Sequence, residues 1–167
     1  MDPRYISPFV SSVQNVFSTM LQLPVTVGEP RLKERGAASH DVTAIIGMSG
    51  DVVGSVALSF PADTAHHIVA LFSGMDLDRD HPDFADAVGE LANMICGGAK
   101  AQFPSDGRAS ISVPSVVLGK GHSVSQQSNV PCVVIPCDTD CGDLVIEVAI
   151  RQSQETENPT TAGAAQA

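Results

Sequence analysis

The sequence predicts an α+β fold, with helices packed on a largely antiparallel β-sheet. Three observations carry that prediction. Apolar residues recur at spacings of three and four within residues 7–21, 61–73 and 83–103, the rhythm of helices with one buried face. Short runs rich in Val and Ile occupy residues 42–48, 52–60, 109–118, 130–137 and 143–150, as strands do. The resulting order, helix–strand–strand–helix–helix–strand–strand–strand, does not alternate single strands with single helices, so a doubly wound parallel sheet is disfavoured.

The first helix is expected over residues 7–21, where Phe9, Val10, Val13, Val16, Phe17 and Met20 share helical spacing. Ser7-Pro8 supplies its cap and first-turn residue, and Leu23-Pro24 ends it. Residues 25–30 read as a short strand, and residues 31–40 as a polar turn or exposed connection. Ser49-Gly50-Asp51 joins the next two strands as a hairpin turn. The second of these alternates only partly, with Val53, Ser55, Ala57 and Ser59 on one face, which fits a half-buried antiparallel sheet. Pro61-Ala62-Asp63 opens a helix carrying Ala65, Ile68, Val69 and Phe72 that stops at Ser73-Gly74. An acidic connector, residues 76–82, leads to the central helix. A polar loop is expected over residues 119–129 and a tight turn over 138–142. Beyond Arg151 the composition turns to Gln, Ser, Thr, Glu, Ala and Gly without periodicity. One domain over residues 1–151 and a disordered tail over 152–167 are therefore expected.

Composition excludes several classes of function. With 167 residues, 43% of them hydrophobic, the chain can build a sizeable core. A formal charge of −10, one Tyr and no Trp leave neither a basic stripe nor a stacking platform, so nucleic acid is not an expected partner. Residues 1–5 lack a basic region followed by an apolar run, and no window approaches a membrane span. A cytoplasmic protein is the default expectation, and its four cysteines, Cys96, Cys132, Cys137 and Cys141, would stay reduced there. Three of them, with His122, suggest zinc, but only Cys137 and Cys141 approach the usual ligand spacing, so buried thiols are the better reading. His66 and His67 are adjacent on a predicted helix and cannot share a face, which disfavours a two-histidine metal site.

The remaining feature is the central helix itself. Phe84, Val88, Leu91 and Ile95 mark its buried face, while Asp86, Glu90, Asn93, Gly97 and Lys100 repeat with the same rhythm on another. Glu90 and Asn93, at i and i+3, are neighbours able to engage one object together. Gly97 and Gly98 each cost about 1 kcal/mol relative to Ala inside a helix, so each needs a reason. A solvated face and a docking surface both account for this stripe when it is taken alone.

Its context is more specific. Glu90-Leu91-Ala92-Asn93-Met94-Ile95-Cys96-Gly97 resembles the Glu-x-x-Asn signature of the CheC/CheX/FliY family of phosphatases, which act on the phosphorylated chemotaxis response regulator. Ile111-Ser112-Val113-Pro114-Ser115-Val116-Val117-Leu118-Gly119-Lys120-Gly121 resembles the family's strand ending in a Pro and a Gly-x-Gly, and residues 142–150 resemble its last strand. The chain is most similar to the CheX branch, because it holds one such pair where CheC and FliY hold two.

The resemblance implies hydrolysis of an aspartyl phosphate on a CheY-like regulator. Asn93 would orient the attacking water, since an amide that does not titrate can still accept a hydrogen bond from water through its carbonyl oxygen. Glu90 would pair with a lysine beside the partner's phosphorylation site, and Asp86 and Gly97 would belong to the same docking face. It further implies that this chain binds no cofactor, that Mg²⁺ is carried by the regulator, and that the protein is a homodimer. The competing function is a non-catalytic signalling interaction module on the same fold.

Overall fold

The computed structural model describes residues 1–37, 40–105, 107–124 and 129–154. In chain order they form a 3-10 turn (Pro3–Tyr5), α1 (Ser7–Val16) running on into a wider π turn (Phe17–Leu21), β1 (Thr26–Val27), β2 (Arg31–Leu32), β3 (Val42–Gly50), β4 (Val52–Phe60), α2 (Ala62–Ser73), α3 (Pro82–Lys100), β5 (Ala109–Ile111), β6 (Ser115–Leu118), β7 (Val133–Thr139) and β8 (Gly142–Gln152). The expected α+β architecture is what the chain adopts. Eight strands make one sheet in the order β1–β7–β8–β4–β3–β5, with β2 also on β7 and β6 also on β3. Every pairing is antiparallel.

Alternation decides which side of the sheet the helices cover. Val42, Ala44, Ile46 and Met48 of β3, Val56, Leu58 and Phe60 of β4, and Leu144, Ile146, Val148 and Ile150 of β8 join one core with Phe9, Val13, Phe17, Ile68, Phe84, Leu91 and Ile95 of the helices. Residues between them point to the opposite face. The incomplete alternation of β4 has a plain cause. This strand sits between β3 and β8, and Ala57 and Ser59 on the far face are as fully buried as their neighbours. Over residues 56–60 the strand is covered on both sides and has no solvent face to keep polar, whereas Val53 and Ser55 nearer its start are half-buried.

Three boundaries differ from expectation. Arg31 and Leu32, read as an exposed connection, form β2, a two-residue strand held on β7 by main-chain pairing while both side chains stay exposed. The strand expected over residues 109–118 is divided. Met48 pairs with Ile111 and Ile45 with Ser115, so three residues on one strand face two on the other, a bulge at Ser112–Pro114. Pro114, lacking an N–H, suits that interruption. At the other end, Gln152 was assigned to the tail, yet it pairs with Val52 in β8 and its Nε2 donates to the Tyr5 hydroxyl at 3.0 Å. The polar composition beyond Arg151 concealed one more residue of strand. Ser153 follows with its N–H donating to the Asp51 carbonyl at 2.8 Å, while residues 155–167 of the expected tail lie outside the described residues, as do residues 125–128 of the expected loop.

The far face of the sheet carries a buried ion pair, Lys33 Nζ to Glu147 Oε2 at 2.7 Å, with side chains only 11% and 3% exposed. Lys33 follows β2, and its N–H donates to the Cys132 carbonyl at 2.8 Å, so the pair ties the chain after β2 to the middle of β8.

Candidate functional site

Helix α3 begins with local devices that the sequence supplies. His81 caps it, Nδ1 accepting from the Asp83 N–H at 3.1 Å, and Pro82 follows at the first position. Asp83 in the first turn and Lys100 in the last complement the helix dipole. At about 100° per residue, Phe84, Val88, Leu91, Ala92 and Ile95 fill the buried arc, and all five are buried in the structure.

The opposite arc holds the stripe in two columns. Asp86, Asn93 and Lys100, seven residues apart, lie along one line; Glu90 and Gly97 lie along a second line beside it. Asp86 and Glu90 are exposed and Asn93 is half-buried. None of the three side chains makes a hydrogen bond or ion pair with another of the described residues. Lys100 differs, donating from Nζ to the Ala109 carbonyl at 3.1 Å and so tying the helix end to β5. The five stripe residues are therefore brought together, with Glu90 and Asn93 adjacent and unengaged.

Two close contacts hold α3 on either side of this stripe. On one side Gly98 faces Ser12 of α1, whose hydroxyl donates to the Ile95 carbonyl at 2.7 Å; a Cβ at Gly98 would collide with that hydroxyl. On the other side Gly89 faces the bulge, and a Cβ there would stand 3.1 Å from Pro114 Cγ and 3.6 Å from Val116 Cγ2. Gly97 is the exception, since a Cβ there would meet nothing within 4 Å. Packing thus explains Gly89 and Gly98 and leaves Gly97 without a reason inside the chain. Gly98→Ala is expected to destabilise the fold by about 1–3 kcal/mol through overpacking, whereas Gly97→Ala should stabilise it by up to about 1 kcal/mol. Chemical denaturation of the two variants checks this; a Gly97→Ala variant as destabilised as Gly98→Ala would show that Gly97 also packs.

Ser12 forms with Gly98 a positioning contact that sequence reasoning missed. The available signal was a polar residue within the apolar run of α1, between Phe9 and Val13, where a buried hydroxyl must find an acceptor.

The other candidates are separated. His66 Nε2 meets Asp76 Oδ1 at 2.8 Å, outside any cluster. His122 Nδ1 lies 2.9 Å from the Gly119 carbonyl, which can only accept, so Nδ1 carries the proton and Nε2 accepts from the Thr43 hydroxyl at 2.6 Å. Cys132 and Cys137 are five residues apart along one chain direction, roughly 16 Å in extended backbone, and their side chains lie on different faces. Burial pushes the Cys96 and Cys137 thiols up to about 12 and Cys132, beside the Glu147 carboxylate, up to about 11, the behaviour of inert packing thiols. Among the described residues no three His, Cys, Asp or Glu side chains gather to hold a metal ion, and no helix is long and apolar enough to cross a membrane.

The family described as "Chemotaxis phosphatase CheX" matches residues 42–138, a span that runs from β3 through α3 into β7. The chain belongs to the CheX family. Relatives agree with that assignment. The CheY-P phosphatase CheX of Thermotoga maritima is 29% identical over 122 residues, covering 72% of this chain and 79% of that protein. A crystal structure of a chemotaxis protein CheX from Desulfovibrio desulfuricans superposes with a TM-score of 0.80 at 33% identity, over 89% of this chain and 99% of that one. The fold is also that of the Borrelia burgdorferi chain in a CheX–CheY–BeF3–Mg²⁺ complex, with a TM-score of 0.73 at 24% identity, over 89% of this chain and 98% of that one. As a member of the CheX family the chain is a phosphatase acting on a response regulator; the bulge, Gly89, Gly98 and the cap of α3 lie within the matched span, and Ser12 lies outside it.

Proposed function

We propose that this CheX-family chain hydrolyses the aspartyl phosphate of a CheY-like response regulator at the outer face of α3, with Asn93 positioning the water and Glu90 anchoring the partner. The observation that carries this reading is the unengaged pair itself. Glu90 and Asn93 stand side by side on a helix held from both flanks, with no side-chain partner among the described residues.

Phosphoryl transfer needs positioning and charge stabilisation more than covalent help from the protein. The Asn93 amide accepts from water through its carbonyl oxygen and donates through its NH₂, fixing a nucleophile opposite the leaving carboxylate. Glu90 pairs with a lysine beside the regulator's phosphorylated aspartate, and that bond strengthens as docking excludes water. Asp86 adds a second carboxylate on the adjoining column. Gly97, one turn beyond Asn93, lets the regulator's backbone approach, which accounts for a glycine that intrachain packing does not need. The metal in this scheme is Mg²⁺ carried by the regulator, a reading supported by the presence of Mg²⁺ in the Borrelia burgdorferi CheX–CheY–BeF3 complex; the chain itself supplies the amide and the carboxylates.

The test is phosphate release from a phosphorylated regulator with and without the protein. Acceleration supports the phosphatase; tight binding of the phosphorylated form without acceleration would instead establish a signalling interaction module. We also propose a homodimer, formed through a strand edge of the sheet. Light scattering at tens of micromolar should give twice the chain mass, and a monomer mass would refute it.

A further inference from the structure

We propose that β6 supplies an apolar ledge beside the Asn93 column, with Leu118 as its outer contact, and that this ledge grips the regulator and helps select it. The inference rests on the reading that a regulator docks on α3.

The register places the ledge. Val116 pairs with Ala44 and Leu118 with Val42, and both β3 partners point into the core under the helices. Side chains opposite one another share a face, so Val116 and Leu118 lie on the α3 side of the sheet. Pro114 and Val116 reach α3 at Gly89, the residue before Glu90. Beyond them the cover ends: Leu118 is 41% exposed, and among the described residues β6 pairs only with β3. From α1 towards the sheet edge, the surface therefore runs from the Glu90–Gly97 column to the Asp86–Asn93–Lys100 column and then to the ledge.

Size and composition choose this flank. A stable contact covers about 800 Å² per partner, more than five stripe residues offer, so a regulator seated on Asn93 must spread beyond α3. Towards α1 it would meet Ser11, Asn15 and Thr19, exposed and polar. Towards β6 it meets Pro114, Val116 and Leu118, the apolar surface that the core of an interface requires. The ledge also continues directly from the column that holds Asn93.

The experiment titrates the protein onto a CheY-like regulator loaded with beryllofluoride and Mg²⁺, and measures phosphate release in parallel. Leu118→Asp should raise the half-saturating regulator concentration about tenfold and Leu118→Ser about threefold, with the deficit in phosphate release vanishing at saturating regulator. Leu32→Asp, at the 67% exposed leucine on β2 across the sheet, should bind as wild type does. Melting curves confirm folding, and the milder Ser variant keeps the test usable if Asp does not fold. A Leu118→Asp titration that overlays the wild type overturns the proposal. So does a halved mass in light scattering with an unshifted titration, which would assign this edge to a second copy of the chain. If the wild type binds without releasing phosphate while Leu118→Asp still weakens binding, the phosphatase reading fails and the ledge stands.

Discussion

Asn93→Ala should lower phosphate release from saturating regulator about a hundredfold, the scale expected when a nucleophile loses its orientation. Binding of the beryllofluoride-loaded regulator should be largely retained. The substitution suits the purpose because the Asn93 side chain has no hydrogen-bond partner among the described residues. Its removal leaves no buried group unsatisfied, and alanine is the better helix former. Asn93→Asp separates orientation from chemistry further. It keeps the size of the side chain but sets an anion beside the phosphoryl group, so the rate should stay low. Glu90→Ala should appear chiefly in the half-saturating concentration. A well-folded Asn93→Ala that releases phosphate as fast as wild type would place the chemistry elsewhere.

The largest effect on stability is expected on the other face of the sheet. Lys33→Ala removes the ammonium 2.7 Å from the buried Glu147 carboxylate and should cost about 3 kcal/mol. Replacing both partners with apolar residues of similar volume, Lys33→Met with Glu147→Leu, should recover most of that loss, because neither charge then needs compensation. Urea unfolding of the single and double variants gives the coupling directly. A Lys33→Ala variant within about 0.5 kcal/mol of wild type would show that other groups already satisfy Glu147.

These two predictions draw on features that differ in how far the sequence disclosed them. The periodicity of Phe84, Val88, Leu91 and Ile95 identified the face of α3 that is buried, and the same count put Glu90 and Asn93 on the opposite arc, where Glu90 is exposed and Asn93 half-buried. Contacts between residues distant in sequence were not readable in this way. Lys33 sits in a stretch that composition marks as exposed, and its partner lies in a strand whose pairing depends on the whole sheet. The bulge at Ser112–Pro114 was hidden inside one apolar run, because a bulge shows only when two strands are counted against each other. For the same reason the glycines of α3 could be questioned but not explained until Ser12 and Pro114 were found beside two of them.

The position of β8 bears on how the molecule is made. The last of the eight strands in chain order lies between β7 and β4, joining two groups of strands that otherwise do not touch in the sheet. A nascent chain that has not yet delivered residues 142–152 therefore holds two half-sheets, each with a long unpaired edge on the side that β8 will fill. Such edges are sticky, and closing the span between β4 and β8 is slow compared with forming local hairpins. The hydrophobic floor beneath α3 is incomplete until that insertion, so the outer face of the helix is held in place only once β8 has joined the sheet. A ribosome stalled before β8 would release an aggregation-prone fragment instead of a partly active phosphatase.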